Sequence, residues 1–134
     1  MTTPRMTLPG IRSLMAMVGL AVTTFVMLGA GLVQAHHGWT WTTGKSVELG
    51  GVIKTSKLGN PHGILTLDVK GQVWTVEVGQ PWRNKNAGLN DSDFAVGKEI
   101  RLSGEPAANT SQKVIKALRV YVQDREHNLY PDRK

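Results

Sequence analysis

Apolar and polar residues alternate along two neighbouring segments of the chain. The segments are ILTLDV at 64–69 and QVWTVEV at 72–78, and both place apolar side chains at every second position. A period of two puts those side chains on one face of a β-strand. Lys70 and Gly71 separate the segments, and glycine accepts the positive φ angle that a tight turn demands. The pattern therefore predicts a β-hairpin with its tip at Lys70-Gly71.

Three further segments have the composition of strands. They are SVELGGVIKTSKL at 46–58, KEIRLSG at 98–104 and KVIKALRVYV at 113–122. The Gly50-Gly51 pair in the first segment indicates a bulge or a sharp bend. The spacing of the last segment would also permit a short helix, but its β-branched residues favour a strand. The chain therefore carries five predicted strands.

The order of these elements indicates a small barrel. Residues 80–97 contain too many Asn, Asp and Gly for a long helix, so we predict an irregular link with one or two helical turns. Three strands, a link and two more strands are the organisation of the OB-fold, provided that the first strand bends to join both halves of the barrel. The predicted fold is therefore all-β, a small five-stranded OB-like Greek-key barrel, and a small β-sandwich is the alternative. The polar tail at 123–134 is predicted to be peripheral.

The first part of the chain has the pattern of a secretory signal. It combines a positive leading region, an apolar run and a small-residue cleavage site, which are Arg5 with Arg12, residues 14–33, and Val33 with Ala35. We expect residues 1–35 to form a signal helix that is cleaved after Ala35, so that residues 36–134 form a single domain in the periplasm or outside the cell. The alternative is an uncleaved membrane anchor, because the apolar run is about as long as a spanning helix needs. The membrane would then be contacted through this segment.

Composition narrows the class of protein. The chain has no cysteine, so neither a disulfide nor a thiolate metal ligand is available. It has 16 Lys and Arg against 10 Asp and Glu, a net charge of +6, and the charges are interspersed rather than gathered in a run that would bind nucleic acid. The sequence shows no phosphate loop, dinucleotide glycine fingerprint or nucleophile elbow. We therefore expect a binding protein rather than an enzyme, with no catalytic residue and no nucleic-acid partner.

Four histidines, His36, His37, His62 and His127, offer binding chemistry. After cleavage, His36 would carry a free amine beside its imidazole, and the amine with Nδ1 closes a six-membered chelate ring on a metal ion. The amine pKa, near 8 in unfolded chains, makes it a far better neutral ligand than a lysine. His62, in the loop GNPHG, would supply a third nitrogen, and Pro61 restrains the backbone beside it. Three nitrogens in a T-shaped arrangement suit copper.

The same histidines have other interpretations. His37 would bind Cu(II) locally through the terminal amine, its own deprotonated amide and its Nδ1, with no help from the fold. His36 and His37 would otherwise form a frayed terminus, and His62 would be a hydrogen-bonding group that caps its loop. His127 lies in the charged tail and is predicted to be exposed.

Three tryptophans lie near these segments. Trp39 and Trp41 flank a single residue on an extended segment, and Trp82 follows Pro81 after the third strand. They would either plug the ends of a small barrel or form an aromatic floor for a ligand or a metal site.

Three motifs in this chain carry a family resemblance. They are AHHGW at 35–39, GNPHGILTLDV at 59–69 and GKEIRLSGEPA at 97–107. The chain resembles a family of small secreted bacterial proteins classed as a domain of unknown function, over nearly all of the predicted mature region. It departs from that pattern at Gly38, where serine is expected, and at Lys98, where aspartate is commoner. The resemblance implies an exported small β domain and supplies no activity.

Three functional hypotheses follow. The first is an exported metal-binding module that takes copper through His36, His62 and His37. The second is an OB-like binding or adaptor domain for a small anionic ligand or a protein partner, in which the histidines are incidental. The third is a redox enzyme that uses the same copper site.

Overall fold

The structure, a computed structural model, describes residues 38–133. Within that range the chain is almost entirely β-structure with one short helix and one 3₁₀ turn. In chain order the elements are β1 (Val47–Lys57), β2 (Gly63–Val69), β3 (Gln72–Val78), α1 (Pro81–Asn86), the 3₁₀ turn Asp91–Phe94, β4 (Glu99–Pro106), β5 (Val114–Val122) and β6 (Arg125–Asn128). No helix among these described residues has the length and the apolar character needed to cross a membrane.

The first five strands close into a barrel. Their order across the sheet is β3-β2-β1-β4-β5, and the circle is completed by a parallel pairing of β3 with β5, in which Val76 lies opposite Ile115. The other pairings within the barrel are antiparallel. The predicted all-β, five-stranded OB-like barrel is confirmed, because a β-sandwich would leave β3 and β5 unpaired.

Strand β1 belongs to both halves of the barrel. Its first half pairs with β4 from Val47 to Val52, and its second half pairs with β2 from Val52 to Lys57. The pairing with β2 shifts register between Ile53 and Thr55, two residues beyond the Gly50-Gly51 pair. A bulge of this kind bends a strand and increases its twist, so it lets one strand follow the curve of a narrow barrel.

The hairpin predicted from the alternating pattern is confirmed. β2 and β3 pair in register from Gly63–Val78 to Val69–Gln72. Lys70 and Gly71 both have positive φ angles, 51° and 82°, as a two-residue turn of this hand requires. The Asp68 carboxylate accepts a hydrogen bond of 2.8 Å from the Gly71 N–H, which stabilises the turn further.

The barrel interior is filled by alternate residues of the five strands, and the link between β3 and β4 covers it. Phe94, in the 3₁₀ turn, is completely buried, and Leu89 lies beside it in the core. The link is therefore part of the packed structure. The buried apolar cluster consists of Ile53, Leu65, Leu67, Val76, Val78, Leu89, Phe94, Ile100, Leu102, Ile115, Ala117, Val120 and Leu129.

The prediction of a peripheral tail was wrong. Residues of the tail form β6, which pairs with β5 and places His127 opposite Val120. Leu129 is only 1% exposed, and its N–H donates to the Leu118 carbonyl at 2.8 Å. The prediction that His127 is exposed was also wrong, because its side chain is buried and Nδ1 lies 2.8 Å from the Ala87 carbonyl oxygen. The buried residues His127 and Leu129 alternate with exposed or partly exposed ones. This alternation is not evident in the sequence REHNL, because histidine is classed as a polar residue.

Candidate functional site

The segment that precedes β1 lies along the end of β4. We call residues 38–43 the terminal segment. Thr42 forms a β-bridge with Ala107, and the Thr43 N–H donates to the Pro106 carbonyl at 2.9 Å. The Ala108 N–H donates in turn to the Trp41 carbonyl, also at 2.9 Å. These backbone bonds fix the terminal segment against the barrel.

A row of three charged residues crosses the outer face of the barrel next to this segment. In the register of the sheet, Lys116 on β5 lies opposite Glu77 on β3 and opposite Glu105 on β4. Its neighbours Ile115 and Ala117 belong to the core, so the alternation of a strand turns Lys116 to the outside. All three charged residues are nevertheless buried, Lys116 being 2% exposed, because other parts of the chain lie over them.

Lys116 makes a short contact with the terminal segment. Its Nζ donates to the Gly38 carbonyl at 2.9 Å and lies 4.7 Å from the centre of the Trp39 ring. The nearest oxygen of the Glu77 carboxylate is 3.9 Å away. Burial lowers the pKa of the Lys116 ammonium below 10.5, and the charge of Glu77 acts in the opposite direction.

Glu105 ties both ends of the described chain to β4. Its carboxylate accepts hydrogen bonds from Thr42 Oγ1 at 2.5 Å and from Arg133 Nη2 at 2.9 Å. The Arg133 guanidinium carbon lies 4.0 Å from the Trp39 ring centre. Trp39 therefore contacts two cations, Lys116 and Arg133, and cation–π attraction of this kind grows stronger away from water.

A second group of aromatic side chains continues from Trp39. The Tyr130 ring meets the Trp39 ring edge-on, with the centres 4.9 Å apart. The Arg83 guanidinium lies over both the Tyr130 ring, at 4.3 Å, and the Trp82 ring, at 4.6 Å. Burial raises the pKa of the Tyr130 hydroxyl above 10.0, against the lowering effect of Arg83.

Two of the tryptophans identified in the sequence, Trp39 and Trp82, do not fill the barrel. Trp39 lies on its outer face, and Trp82 is 54% exposed on the first turn of α1. Trp74, on β3, is the tryptophan that packs against the core. The position of Trp39 does not match a plug of the barrel, and the aromatic floor stays a prediction.

His62 lies in the loop that leads into β2. It follows a cis Asn60-Pro61 peptide bond and precedes Gly63, whose N–H donates to the Gly79 carbonyl at 3.2 Å. The His62 side chain is half-buried, and both of its ring nitrogens are shielded from solvent. The loop is therefore held against the end of β3, the strand that carries Glu77.

Of the three histidines predicted to bind metal, the structure describes His62. His36 and His37 lie outside the described residues. Within residues 38–133, no three His, Asp or Glu side chains are grouped so that they could hold a metal ion. The predicted site draws on the terminal histidines, which precede that range.

The strand that contacts the terminal segment, β5, and the strand that the His62 loop leads into, β2, lie on either side of β3. Lys116, which binds Gly38, pairs with Glu77, and Glu77 pairs on its other side with Ile64. Ile64 is two residues from His62. Strands in a sheet are about 4.8 Å apart, so about 10 Å separates the backbone at Lys116 from β2.

A family model described as a family of unknown function, DUF6152, matches residues 25–116. The chain belongs to the DUF6152 family. The matched residues include His36, His37, His62 and Lys116. No curated protein matches the chain. The resemblance inferred from the motifs is thereby confirmed, and membership brings no activity with it.

The buried charged residues of this DUF6152 domain were not predicted from the sequence. Lys116 lies in the middle of an apolar strand, and a cation in such a position is a signal of either an exposed outer face or a buried ion pair. Strand pattern alone does not distinguish these cases. Glu105 and Arg133 gave no signal, because their partners are far away in sequence.

A separate cleft lies on the outer face of β1 and β4. Its volume is about 470 Å³, which is within the range of small-molecule sites. The Arg101 guanidinium lies 4.3 Å from the Tyr121 ring centre and 3.9 Å from the Glu48 carboxylate. The residues that line the cleft are Glu48, Leu49, Gly50, Glu99, Ile100, Arg101, Tyr121, Gln123 and Asp124. An aromatic floor beside charged groups suits a small polar ligand.

Proposed function

We propose that the protein is an exported metal-binding module that takes one copper ion through its mature N-terminus. The ligands would be the His36 amine, His36 Nδ1 and a ring nitrogen of His62. Nitrogen ligands in a T-shaped arrangement match the preference of copper among the first-row divalent ions. His37 is the alternative partner of the amine, in a local site that does not use His62.

The observation that carries this proposal is the hydrogen bond between Lys116 and the Gly38 carbonyl. It anchors the chain two residues after His36, and two residues reach at most about 7 Å. The anchor lies over β5, and His62 leads into β2, with β3 between those strands. His36 and the two imidazole side chains would have to bridge the span that remains.

The environment around the anchor favours a fixed site over a frayed terminus. Trp39 is held between Lys116 and Arg133, and Thr42 is bonded to Glu105. A ligand on a segment that is already ordered loses less conformational entropy when a metal binds. His62 is restrained in the same way by its half-buried loop.

Copper titration of the protein with a free His36 terminus tests the proposal. We expect one Cu(II) per chain by native mass spectrometry, with the electron paramagnetic resonance spectrum of a three-nitrogen site. One extra residue before His36 should abolish the chelate, and His62→Ala should weaken binding. His127→Gln is the matched control, because it removes an imidazole that is bonded to Ala87 and keeps a hydrogen-bond donor there; its copper affinity should equal that of the parent protein. Binding that is unchanged in both the extended protein and His62→Ala contradicts the proposal.

A second candidate function is the binding of a small ligand without metal, in the cleft between β1 and β4. The observation that favours it is the Arg101–Tyr121 stack in that cleft. Its carboxylates, Glu48, Glu99 and Asp124, favour a ligand with a cationic group over the anionic ligand expected from the sequence. A screen of amines by nuclear magnetic resonance, with Tyr121→Leu as the comparison, would detect such a ligand. A redox activity of the copper site is a further proposal, and it would require a reducible copper ion in the same titration.

A further inference from the structure

The two adjacent glycines of β1, Gly50 and Gly51, differ in what a side chain would meet. A Cβ at Gly51 would overlap the Asp68 carbonyl oxygen of β2, so the close approach of that strand requires a glycine there. A Cβ at Gly50 would make only an ordinary contact, 3.7 Å from the Ile100 carbonyl oxygen, and the φ angle of Gly50 is not positive. The backbone therefore requires a glycine at Gly51 but not at Gly50.

The missing side chain of Gly50 opens the cleft on the outer face of β1 and β4. Gly50 lies opposite Arg101 in the register of the sheet, and Arg101 lies opposite Tyr121 on β5. All three residues line the cleft of about 470 Å³. A glycine inside a strand weakens the strand, because it has no side chain to pack and loses more entropy on folding. Here it leaves open a space beside Arg101 that a larger residue would fill.

The Arg101 guanidinium is held in place beside this space. It lies over the Tyr121 ring, 4.3 Å from the ring centre, and cation–π attraction favours that position. The nearest oxygen of Glu48 is 3.9 Å from Nη1, which is too long for a hydrogen bond, so this pair leaves the donors of the guanidinium available. The side chain is also 53% exposed. A guanidinium that is positioned in this way presents a planar fork that matches a carboxylate.

Carboxylates surround the guanidinium in the same cleft. Glu48 precedes Gly50 by two residues on β1, Glu99 precedes Arg101 by two residues on β4, and Asp124 follows β5. Three carboxylates and one guanidinium give the lining a net negative charge, which attracts an ammonium group. A ligand that carried only a carboxylate would be repelled by these groups, and one that carried only an amine would be repelled by Arg101.

We infer that the cleft over Gly50 binds a zwitterion of amino-acid size, with its carboxylate on Arg101 and its ammonium beside Glu48 and Glu99. This inference rests on the second candidate function, ligand binding in this cleft, and it is independent of the proposed copper site. An α-amino acid carries both charges on one carbon atom. The Glu48 carboxylate and the Arg101 guanidinium, 3.9 Å apart, are close enough to contact the two groups at once.

The experiment compares three related ligands by nuclear magnetic resonance of the labelled protein. They are leucine, leucinamide, which lacks the carboxylate, and N-acetylleucine, which lacks the ammonium. Leucine is the probe because Leu49 and Ile100 supply an apolar part of the lining. We expect leucine to shift the resonances of Gly50, Arg101 and Tyr121. The other two ligands should bind at least about tenfold more weakly, since each loses a charge-assisted contact.

Three variants test the residues that form the site. Gly50→Val fills the cleft from a backbone position that tolerates a Cβ; it should lower the affinity for leucine at least about tenfold and keep or raise the denaturation midpoint, because valine favours strands. Arg101→Gln should lower that affinity to a similar extent. Arg119→Gln is the matched control: Arg119 pairs with Glu126 on β6 and lies outside the lining of the cleft, so the affinity for leucine should equal that of the parent protein.

The outcomes separate this inference from the function on which it rests. Equal affinities for leucine and leucinamide overturn the role of Arg101 as a carboxylate ligand and leave the cleft as a site for amines. Unchanged leucine binding in Gly50→Val or in Arg101→Gln overturns the inference as well, as does an equal loss in Arg119→Gln. If leucine shifts none of the three resonances, the zwitterion site is overturned; if the amines of the screen also fail to bind, the second candidate function falls with it.

Discussion

Arg133 and Glu105 form an ion pair across the outer face of the barrel, with 2.9 Å between Nη2 and Oε1. The Glu105 side chain is almost fully buried, whereas that of Arg133 is partly exposed. Arg133, near the end of the described residues, therefore balances the negative charge of a buried carboxylate. The pair also places the Arg133 guanidinium against Trp39, so it connects the tail to the terminal segment.

Removal of the Arg133 charge should destabilise the domain. Arg133→Met removes the cation that is hydrogen-bonded to the buried Glu105 carboxylate and leaves the Thr42 hydroxyl bond in place, and removal of one partner of a buried ion pair is costly. Because Arg133 is partly exposed, solvent screens the pair, and we expect a loss of about 1–2 kcal/mol. Urea denaturation measures it.

The control for this prediction is Arg119→Met on β5. Arg119 pairs with Glu126 at 3.1 Å, and the Glu126 side chain is half exposed. Exposed pairs of this kind contribute at most about 1 kcal/mol. Equal losses in the two variants would mean that the burial of Glu105 does not matter.

Substitution by alanine should change the stability of the protein in opposite directions at Gly71 and at Gly59. A Cβ at either position would meet no atom within 4 Å, but Gly71 alone of the two has a positive φ angle. Gly71→Ala should therefore destabilise the protein by about 1 kcal/mol, whereas Gly59→Ala should be neutral or stabilise it slightly. Denaturation midpoints of both variants check this, and a stabilising Gly71→Ala would contradict the turn geometry.

Tyr130 should make the domain sensitive to alkaline pH. Its pKa is raised in the folded protein above the value of 10.0, so the unfolded chain releases the proton first. Stability from this group is complete below pH 10 and declines as the pH rises above 10. Tyr130→Phe should reduce this decline, which is measured as the difference in unfolding free energy between the two proteins from pH 8 to pH 11.

Titration of Lys116 changes the stability of the domain in the opposite direction over a neighbouring pH range. Its folded pKa lies below 10.5, so the unfolded chain binds more protons and stability rises with pH up to about 10.5. The comparison of parent and Tyr130→Phe cancels this contribution, because both proteins retain Lys116. A decline of the same size in both would contradict the role of Tyr130.

The processing of the chain is a prediction from the sequence. We expect protein recovered from the periplasm to begin at His36, since Val33 and Ala35 provide the small residues that signal peptidase requires. N-terminal sequencing checks this. Ala35→Leu should block cleavage at that bond, and a mature start at any other residue in the parent protein would remove the proposed chelate.

The fold was largely predictable from the sequence, because the patterns that indicate its strands and its hairpin involve residues that are close together in the chain. The alternation from Ile64 to Val78 and the turn at Lys70-Gly71 depend on neighbouring residues, so a single sequence carries them. β6 was missed, because its four residues read as polar until Leu129 is seen to follow them into the core. Short strands depend on their partner, here β5, more than on their own composition.

The site was less predictable because it is assembled from distant parts of the chain. The burial of Lys116 depends on a terminal segment 78 residues earlier in the sequence, and that of Glu105 on Arg133, 28 residues later. Neither pairing has a sequence signature. His62 was selected from its loop, whereas the position of that loop relative to Lys116 follows from the register of β3 between β2 and β5.

The β3–β5 pairing also has a consequence for the order in which the molecule folds. The β2–β3 hairpin joins neighbours in sequence and can form within microseconds, whereas the pairing of Val76 with Ile115 closes a long loop and must wait for it. Lys116 follows Ile115, so the place where Gly38 docks exists only after the barrel has closed. A chain that crosses a membrane unfolded would therefore gain its proposed copper site at the last step of folding, and copper would protect the closed barrel against reopening.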